Sequence, residues 1–165
     1  MSGFFGCVSR NECVGDVFYG TDYHSHLGTK RAGMAFFNGE KFVRSIHSIE
    51  NAYFRNKFEP DLPRFEGSRM GIGVISDTES QPITVVTVGR IDNLGELCSE
   101  VLAEHKHFAE LSDSTFNSTE LVAILIASCC SFEEGIRNVQ SKIKGSCSML
   151  ILTEQGIYAS RDKYG

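Results

Sequence analysis

Several features that would exclude or define whole classes of protein are missing from this sequence. No apolar run approaches the roughly 20 residues that a membrane-spanning helix needs. The N-terminus lacks the basic stretch and apolar core of a secretory signal. Like charges form no block, and the net charge of -5 argues against a nucleic-acid-binding face. We therefore expect a cytoplasmic protein without membrane or nucleic-acid partners.

The cysteines and histidines also lack the spacings of a disulfide framework or a metal site. There is no C-x-x-C pair among the six cysteines, and the five histidines do not have zinc-finger spacing. His24 and His26 lack further ligands at a suitable distance in sequence, which favours a structural role. Most cysteines lie in apolar stretches and only Cys13 lies in a polar context, so we expect buried free thiols in a reducing compartment. No metal or cofactor is predicted.

The composition that remains is ordinary for a globular domain. The chain has 165 residues, of which 41% are apolar and 22% charged. This length is sufficient for one domain with a real core. We therefore predict a single domain over residues 1–165.

Hydrophobic patterns predict strands before, and again after, a group of helices. Apolar, β-branched runs predict strands at 3–8, 32–37, 41–46, 70–75, 83–88, 147–153 and 157–160. Asn38-Gly39 predicts a two-residue hairpin turn. Because hairpins outnumber plausible parallel crossovers, the pattern indicates an α+β domain with largely antiparallel sheets.

The helices are predicted from spacing and from their start signals. The first helix covers 14–26, breaks near Gly20 and ends at Gly28. A short helix within 49–58 precedes an irregular connection at Pro60 and Pro63. Three later helices follow, over 94–102, 121–129 and 132–143. Asn117 is the predicted cap of the second and Ser131 that of the third. Gly145 is predicted to end the third helix.

Ser2 is the first candidate for chemistry. If Met1 is removed, Ser2 carries both a hydroxyl and a free α-amine, and such an amine can act as base for its own side chain. Its pKa of roughly 8 lets it accept a proton near neutral pH. The alternative is an ordinary serine at the start of an edge strand, and these residues alone favour that alternative.

Five segments of the chain, in order, resemble one enzyme family. Near the start, Ser2-Gly3-Phe4-Phe5-Gly6 is similar to C-G-I-F-G, and 26–33 is similar to H-R-G-Q-E-x-A-G. Gln81-Pro82 resembles A-Q-P, and 117–120 resembles S-D-T-E.

The fifth segment is the longest and lies at the C-terminal end. Residues 144–153 and 156–162 are similar to K-G-A-Y-S-L-v-l-L-T and l-y-A-v-R-D-P-x-G. The chain therefore resembles the class II glutamine amidotransferase domain, most narrowly the N-terminal half of the glutamine phosphoribosylpyrophosphate amidotransferases.

The resemblance implies a fold and a chemistry. The fold is the four-layer αββα sandwich of the N-terminal-nucleophile hydrolases. The chemistry is glutamine hydrolysis by an N-terminal cysteine, with ammonia passed to a phosphoribosyltransferase domain. That domain, and some strands of the sandwich, would follow residue 165, so we expect a fragment of a longer purine-biosynthesis protein, which can form homo-oligomers.

Four positions depart from the family in four separate functions. Ser2 occupies the position of the family's nucleophilic cysteine, and Ser76 occupies the position of the arginine that binds the substrate carboxylate. At the oxyanion hole Gly89 is retained, but Val88 replaces an asparagine donor. Ser118 stands at the aspartate expected to hold the substrate amine. Because the packing motifs survive, the pattern predicts a degenerate domain with a structural, regulatory or ligand-binding role.

Two other interpretations keep catalysis. In one, Ser2 is the active nucleophile of an amidohydrolase with another substrate, its α-amine is the base, and Gly89 supplies a partial oxyanion hole. Arg90 could then replace the lost arginine, although a solvated turn charge is the simpler role. In the other, a thiol such as Cys7 is catalytic, but its alternation with Phe5 favours a core position. Cys129 and Cys130 are interpreted as packing.

Overall fold

The computed structural model describes residues 2–76, 84–104, 108, 111–112 and 115–162. They divide into two compact units. The first contains residues 2–76, 84–86 and 150–159, and the second contains the other described residues. The prediction of one domain over 1–165 stays a prediction.

Strands and helices lie close to where the sequence placed them. The strands are β1 (Ser2–Val8), β2 (Arg31–Phe37), β3 (Phe42–Ser48), β4 (Met70–Ser76), β5 (Val85–Ile91), β6 (Leu111–Ser112), β7 (Thr115–Phe116), β8 (Gly145–Thr153) and β9 (Gly156–Ser160). The helices are α1 (Val14–Tyr23), α2 (Phe54–Phe58), α3 (Leu94–Ala103), α4 (Ser118–Ala127) and α5 (Phe132–Lys142), and a 3-10 helix, η1, covers Glu59–Phe65.

The first unit is built on an antiparallel sheet with strand order β1-β4-β2-β3. Strands β5, β8 and β9 form a second sheet in the order β5-β8-β9, and β6 pairs with β7. Helices and antiparallel strands together confirm the predicted α+β class.

One face of the four-stranded sheet packs against helices. Val14, Val17, Phe18 and Thr21 of α1 are buried, at the spacing that places side chains on one helix face. They join a core with residues of the sheet, α2 and η1, such as Phe36, and this core excludes water from one side of the sheet.

The opposite face is covered by strands. Ala35 of β2 and Ile72 of β4 pack with Val86, Leu150 and Leu152. The sheet is therefore buried on both faces within the first unit, which explains why β2 is apolar almost throughout rather than alternating.

The helix caps of the second unit were predicted correctly. The side chain of Asn117 accepts hydrogen bonds from the backbone N–H groups of Thr119 and Glu120 at the start of α4. Ser131 accepts from the N–H of Glu134, and the Glu134 carboxylate accepts from the N–H of Cys130. Both helices begin where a side chain satisfies their free donors.

The structure corrects four local predictions. Helix α1 continues through Gly20 and ends at Tyr23. Gly20 does not break the helix; its lack of a side chain leaves space for the ring of Phe5. The β2–β3 connection has four residues, 38–41, rather than two, since Asn38 accepts from the N–H groups of Glu40 and Lys41. The segment with Pro60 and Pro63 is the 3-10 helix η1 rather than irregular. Helix α5 ends at Lys142, and Gly145 begins β8 instead of capping the helix.

Cys13 is fully buried beside the start of α1 despite its polar sequence context. Cys130, which was interpreted as packing, is instead exposed between α4 and α5. All six cysteines are free. In the part of the chain that the structure describes, no helix combines the length and apolarity needed to cross a membrane.

Candidate functional site

Ser2 and Ser76 lie together at the end of the four-stranded sheet. They are directly opposite each other in the β1–β4 pair, and their Oγ atoms are 3.2 Å apart, within hydrogen-bonding distance. Ser76 is buried and Ser2 is half-buried. Two of the five predicted site residues are therefore in contact, although they are 74 positions apart in the chain.

This contact does not activate Ser2. A serine hydroxyl is a neutral donor and acceptor, so Ser76 can orient the Oγ of Ser2 but cannot take its proton. Activation would need the α-amine of Ser2. Whether Met1 is removed lies outside the described residues.

A tight loop supports this end of the sheet. A side chain at Gly28 would come within 2.9 Å of the backbone nitrogen of Ser76 and 2.6 Å of Ile75 Cγ2. One at Gly3 would come within 2.8 Å of His24 Cβ. Small residues therefore allow the segment after α1 to approach the strands that position Ser2 and Ser76.

The strand register extends the serine pair into a longer row. Ser76 lies opposite Arg31 of β2, and Arg31 lies opposite Ser48 of β3. We call Ser2, Ser76, Arg31 and Ser48 the polar row. The sequence analysis missed Arg31 and Ser48, although the position of Arg31 directly before the Ala32-Gly33 motif is visible in the sequence.

Val88 and Gly89, the predicted oxyanion positions, lie in β5 in the second unit. Gly89 has φ +145°, and a side chain there would overlap the backbone carbonyl oxygen of Ser146. Glycine is thus required by the close approach of two strands, independently of any catalytic role. Val88 is half-buried and has no side-chain donor.

Ser118, the predicted amine-binding position, is the first residue of α4 and is half-buried. The next residue, Thr119, is buried, and its hydroxyl lies 2.6 Å from the hydroxyl of Thr87 in β5. This hydrogen bond fixes the start of α4 against β5, so neutral groups hold this part of the second unit.

Arg90 lies on the surface. Its side chain is 88% exposed, and its Nε is 2.8 Å from Asp92 Oδ1. Exposed ion pairs of this kind contribute little to stability. This agrees with a solvated turn charge rather than a buried substrate-binding arginine. The neighbouring family positions Asp77, Thr78, Gln81 and Pro82 lie outside the described residues.

The two thiols nearest the N-terminus, Cys7 and Cys13, lie in or against the helical core. Cys7 is half-buried and packs against the helical core, as its alternation with Phe5 predicted. Burial, with Cys7 next to it, raises the pKa of Cys13 to about 12. A thiol with so high a pKa is protonated at neutral pH and is a poor nucleophile.

His26 makes a local contact. The ring nitrogen Nδ1 of His26 lies 2.9 Å from the carbonyl oxygen of Tyr23. Among the described residues, no group of three or more His, Cys, Asp or Glu side chains could hold a metal ion.

A serine, a histidine and an aspartate that the sequence analysis did not connect meet between β3 and η1. His47 Nε2 lies 2.7 Å from Asp61 Oδ2 and 3.0 Å from Ser45 Oγ, and Ser45 also hydrogen-bonds Asp61 Oδ2. Because the same histidine nitrogen faces both partners, His47 cannot bind the aspartate through one nitrogen and serve as base through the other. The cluster therefore links two elements and is not a catalytic triad.

The electrostatics of Asp61 fit a structural link. Burial by itself would raise the pKa of Asp61, but hydrogen bonds from Ser45 and His47 and the charges of His47 and Arg64 lower it below its usual value. Arg64 Nη1 lies 3.5 Å from Asp61 Oδ1. The carboxylate is consequently ionised at neutral pH.

Comparison with known proteins identifies the fold. No protein family model and no curated protein matches the sequence. The solved structure of glutamine phosphoribosylpyrophosphate amidotransferase from B. subtilis, complexed with ADP and GMP, matches 98% of this chain with a TM-score of 0.80 and 22% identity. A structure of the allosteric regulatory enzyme of purine biosynthesis matches 100% of it with a TM-score of 0.84 and 22% identity.

The two matches cover 37% and 38% of those longer chains. At this level of identity, what is shared is the fold. The chain therefore has the mixed helix and antiparallel-sheet fold of the glutamine amidotransferases, the N-terminal-nucleophile hydrolase fold that the sequence resemblance predicted.

Proposed function

We propose that this chain is a glutaminase-like domain that no longer hydrolyses glutamine and acts as a structural, regulatory or ligand-binding module. The contact between Ser2 and Ser76 carries this proposal. At the position where the resemblance expects a substrate-binding arginine, a short neutral hydroxyl lies 3.2 Å from the hydroxyl at the nucleophile position. Such a group supplies neither a base nor a positive charge.

The other altered positions support the same proposal. Val88 has no side-chain donor for an oxyanion, and losing one such donor costs roughly a hundred- to a thousand-fold in rate. Ser118 offers a neutral hydroxyl where an aspartate would attract an ammonium group. Each loss acts on a different part of the reaction, so together they leave little catalysis.

Ammonia release from L-glutamine tests the proposal. We expect no release above background from the purified chain, and none from Ser2→Cys, because the better nucleophile still lacks the arginine and the oxyanion donor. Ser2→Ala is the matched control. A turnover that is present in the wild type and absent from Ser2→Ala would refute the proposal.

A second candidate is an active N-terminal-serine amidohydrolase with another amide substrate. The place of Ser2 as the first residue of β1 favours it, since removal of Met1 would put an amine on the nucleophile residue itself. An electrophilic amide analogue that labels Ser2, together with an intact mass that lacks Met1, would support this candidate. A retained Met1 would exclude it.

The context of the domain is also a proposal. Because the matched amidotransferase chains are much longer, we propose that a phosphoribosyltransferase-like domain follows residue 165 in a cytoplasmic protein related to purine biosynthesis. Homo-oligomer formation belongs to the same proposal. Light scattering of the purified natural protein would give both the chain mass and the oligomeric state, and a natural chain of about this size would contradict the proposal of a following domain.

A further inference from the structure

Two cysteines of the first unit meet where β1 leads into α1. Cys7 is half-buried on β1 and packs against the helical core, of which the fully buried Cys13 is a member. The Sγ of Cys13 donates a hydrogen bond to the carbonyl oxygen of Cys7, with a distance of 3.8 Å between the two atoms. The two residues are therefore in contact at the junction of the first strand and the first helix.

The side chains of this pair also interact with each other. Burial raises the pKa of Cys13 to about 12, together with the charge on an ionised Cys7 and a hydrogen bond between the two side chains. Alternate residues of a strand point to the same side, so Cys7 faces α1 as Phe5 does, whose ring packs against Gly20. The Cys7 thiol is thus directed to the helix that Cys13 begins.

The backbone around the pair is held by the segment before β4. The N–H of Ser9 donates to the carbonyl oxygen of Arg69, and the N–H of Cys13 donates to that of Ser68, each with a distance of 2.9 Å. Both ends of the connection between β1 and α1 are thereby attached to the same segment. The fold consequently holds the two cysteines beside each other.

The surroundings of the pair favour a neutral product of thiol chemistry. The helical core around Cys13 consists of apolar residues. Binding a soft metal ion would require thiolates, and burial of their negative charge in such surroundings is costly. A disulfide is neutral and has no such cost, so oxidation fits this position better than metal binding.

We propose that Cys7 and Cys13 are an oxidation-sensitive pair, which hydrogen peroxide converts to a disulfide that links β1 to the start of α1. Cys7 reacts first because it is half-buried, whereas Cys13 is 0% exposed. The Cys7 thiolate attacks one oxygen of the peroxide, which gives a sulfenic acid and hydroxide. The Cys13 sulfur then attacks the Cys7 sulfur, and the hydroxyl group leaves as water with the proton of Cys13. Two thiols and one peroxide thus give one disulfide and two water molecules.

Contact with Cys7 offsets the low reactivity of Cys13. A thiol with a pKa of about 12 is a poor nucleophile in a reaction between separate molecules. Within the folded chain the second step is intramolecular, and proximity of the reacting groups greatly increases its rate. Cys13 therefore acts only on a sulfur that is already beside it.

The neighbouring cysteines Cys129 and Cys130 are less suited to form a disulfide. Successive Cα atoms lie about 3.8 Å apart, closer than the roughly 4.4–6.8 Å that is usual between linked cysteines. Cys130 is nevertheless exposed, so it reports whether the oxidant has reacted with the protein.

Tryptic digestion identifies the proposed cross-link directly, because Arg10 lies between Cys7 and Cys13. The reduced protein is treated with hydrogen peroxide, at concentrations raised until Cys130 is oxidised, and free thiols are then blocked with iodoacetamide in denaturant. We expect mass spectrometry to show the peptide that ends at Arg10 joined to peptide 11–30, and dithiothreitol to separate them. The proposal is overturned if these peptides stay separate while Cys130 is oxidised, or if they are joined only after treatment in denaturant.

Variants test the order of the two steps. In Cys13→Ser the sulfenic acid of Cys7 has no thiol to react with, so its labelling by dimedone should increase several-fold over the wild type. Cys130→Ser is the matched control and should form the cross-link as the wild type does. Equal dimedone labelling of Cys7 in Cys13→Ser and in the wild type would refute the role of Cys13.

Cys7→Ser keeps the test decisive if Cys13→Ser does not fold, because its substitution is at a half-buried position. Cys13 should then stay unoxidised at peroxide concentrations that oxidise Cys130. Oxidation of Cys13 in Cys7→Ser would overturn the proposal that Cys7 reacts first. None of these measurements involves glutamine hydrolysis, so their outcome is independent of the proposed function.

Discussion

At the scale of single residues, two glycines of α1 have opposite surroundings. A side chain at Gly20 would come within 2.5 Å of the ring of Phe5, whereas one at Gly15 would meet nothing within 4 Å. Substituting alanine at each position therefore distinguishes the effect of helix propensity on stability from the effect of packing.

We predict that Gly15→Ala stabilises the protein by about 0.5–1 kcal/mol, because alanine favours the helix. Gly20→Ala has the same gain but overlaps the Phe5 ring, and overpacking costs about 1–3 kcal/mol. Urea unfolding should therefore show Gly20→Ala to be less stable than Gly15→Ala by about that amount. Equal stabilisation by both would contradict the packing of Phe5 on α1.

Asp61 gives a prediction about pH. Its pKa is lowered in the folded protein, so its contribution to stability is present above the usual value of 3.8 and is lost as the pH falls through the lower, folded value. Asp61→Asn should cost about 1–3 kcal/mol at neutral pH, since hydrogen bonds to a charged group are lost. The difference from the wild type should decrease below pH 3.8 in thermal unfolding measured across pH.

Asp92→Asn is the control for this measurement. Asp92 pairs with the exposed side chain of Arg90, and such a pair contributes about 0–1 kcal/mol. A loss for Asp61→Asn no larger than that for Asp92→Asn, or one that does not change with pH, would contradict the role of the Ser45–His47–Asp61 cluster.

At the scale of secondary-structure elements, start signals and apolar spacing were sufficient to predict where α4 and α5 of the second unit begin. Asn117 and Ser131 begin α4 and α5 in the structure as they do in the sequence pattern. Capping depends on groups two or three residues apart, so a cap can be predicted from the sequence without knowledge of tertiary contacts. The 3-10 conformation of the segment with Pro60 and Pro63 was not predicted. It depends on tertiary packing, in which Phe58 and Phe65 are buried.

The caps provide a prediction for α4. Asn117→Ala removes a buried acceptor of two backbone hydrogen bonds and should cost about 1–2 kcal/mol. Ser131→Ala removes one hydrogen bond at an exposed position and should cost about 0.5–1 kcal/mol. Chemical unfolding followed by circular dichroism compares the two, and a larger loss for Ser131→Ala would contradict the described caps.

At the scale of the whole molecule, no covalent cross-link holds the fold, since all six cysteines are free. Burial raises the pKa of Cys98 and Cys147 to about 11 and, with Cys7, that of Cys13 to about 12. Their reactivity should therefore depend on unfolding rather than on the reducing state of the buffer.

We predict that six thiols titrate in denaturant and that the melting temperature is unchanged by a reducing agent. In the native protein at pH 8, iodoacetamide should modify the exposed Cys130 fastest, whereas Cys13, Cys98 and Cys147 should react only on unfolding. Peptide mass spectrometry assigns the sites, and Cys130→Ser should remove the fast phase. Fast labelling of Cys13 would contradict its burial.

The α+β class, the approximate strands and the caps of α4 and α5 could be predicted from the sequence, because these depend on neighbours within a few residues. Motifs spread along the chain also predicted the fold, while the assignment of Ser2 to a nucleophile position stays a prediction. The tertiary structure decided which residues meet. Ser2 meets Ser76, and Arg31 joins their row, only through the strand register, which pairs residues 74 positions apart in the first case. Burial of Cys13 and the packing of Phe5 on Gly20 likewise follow from how α1 lies on the sheet, which no local pattern encodes.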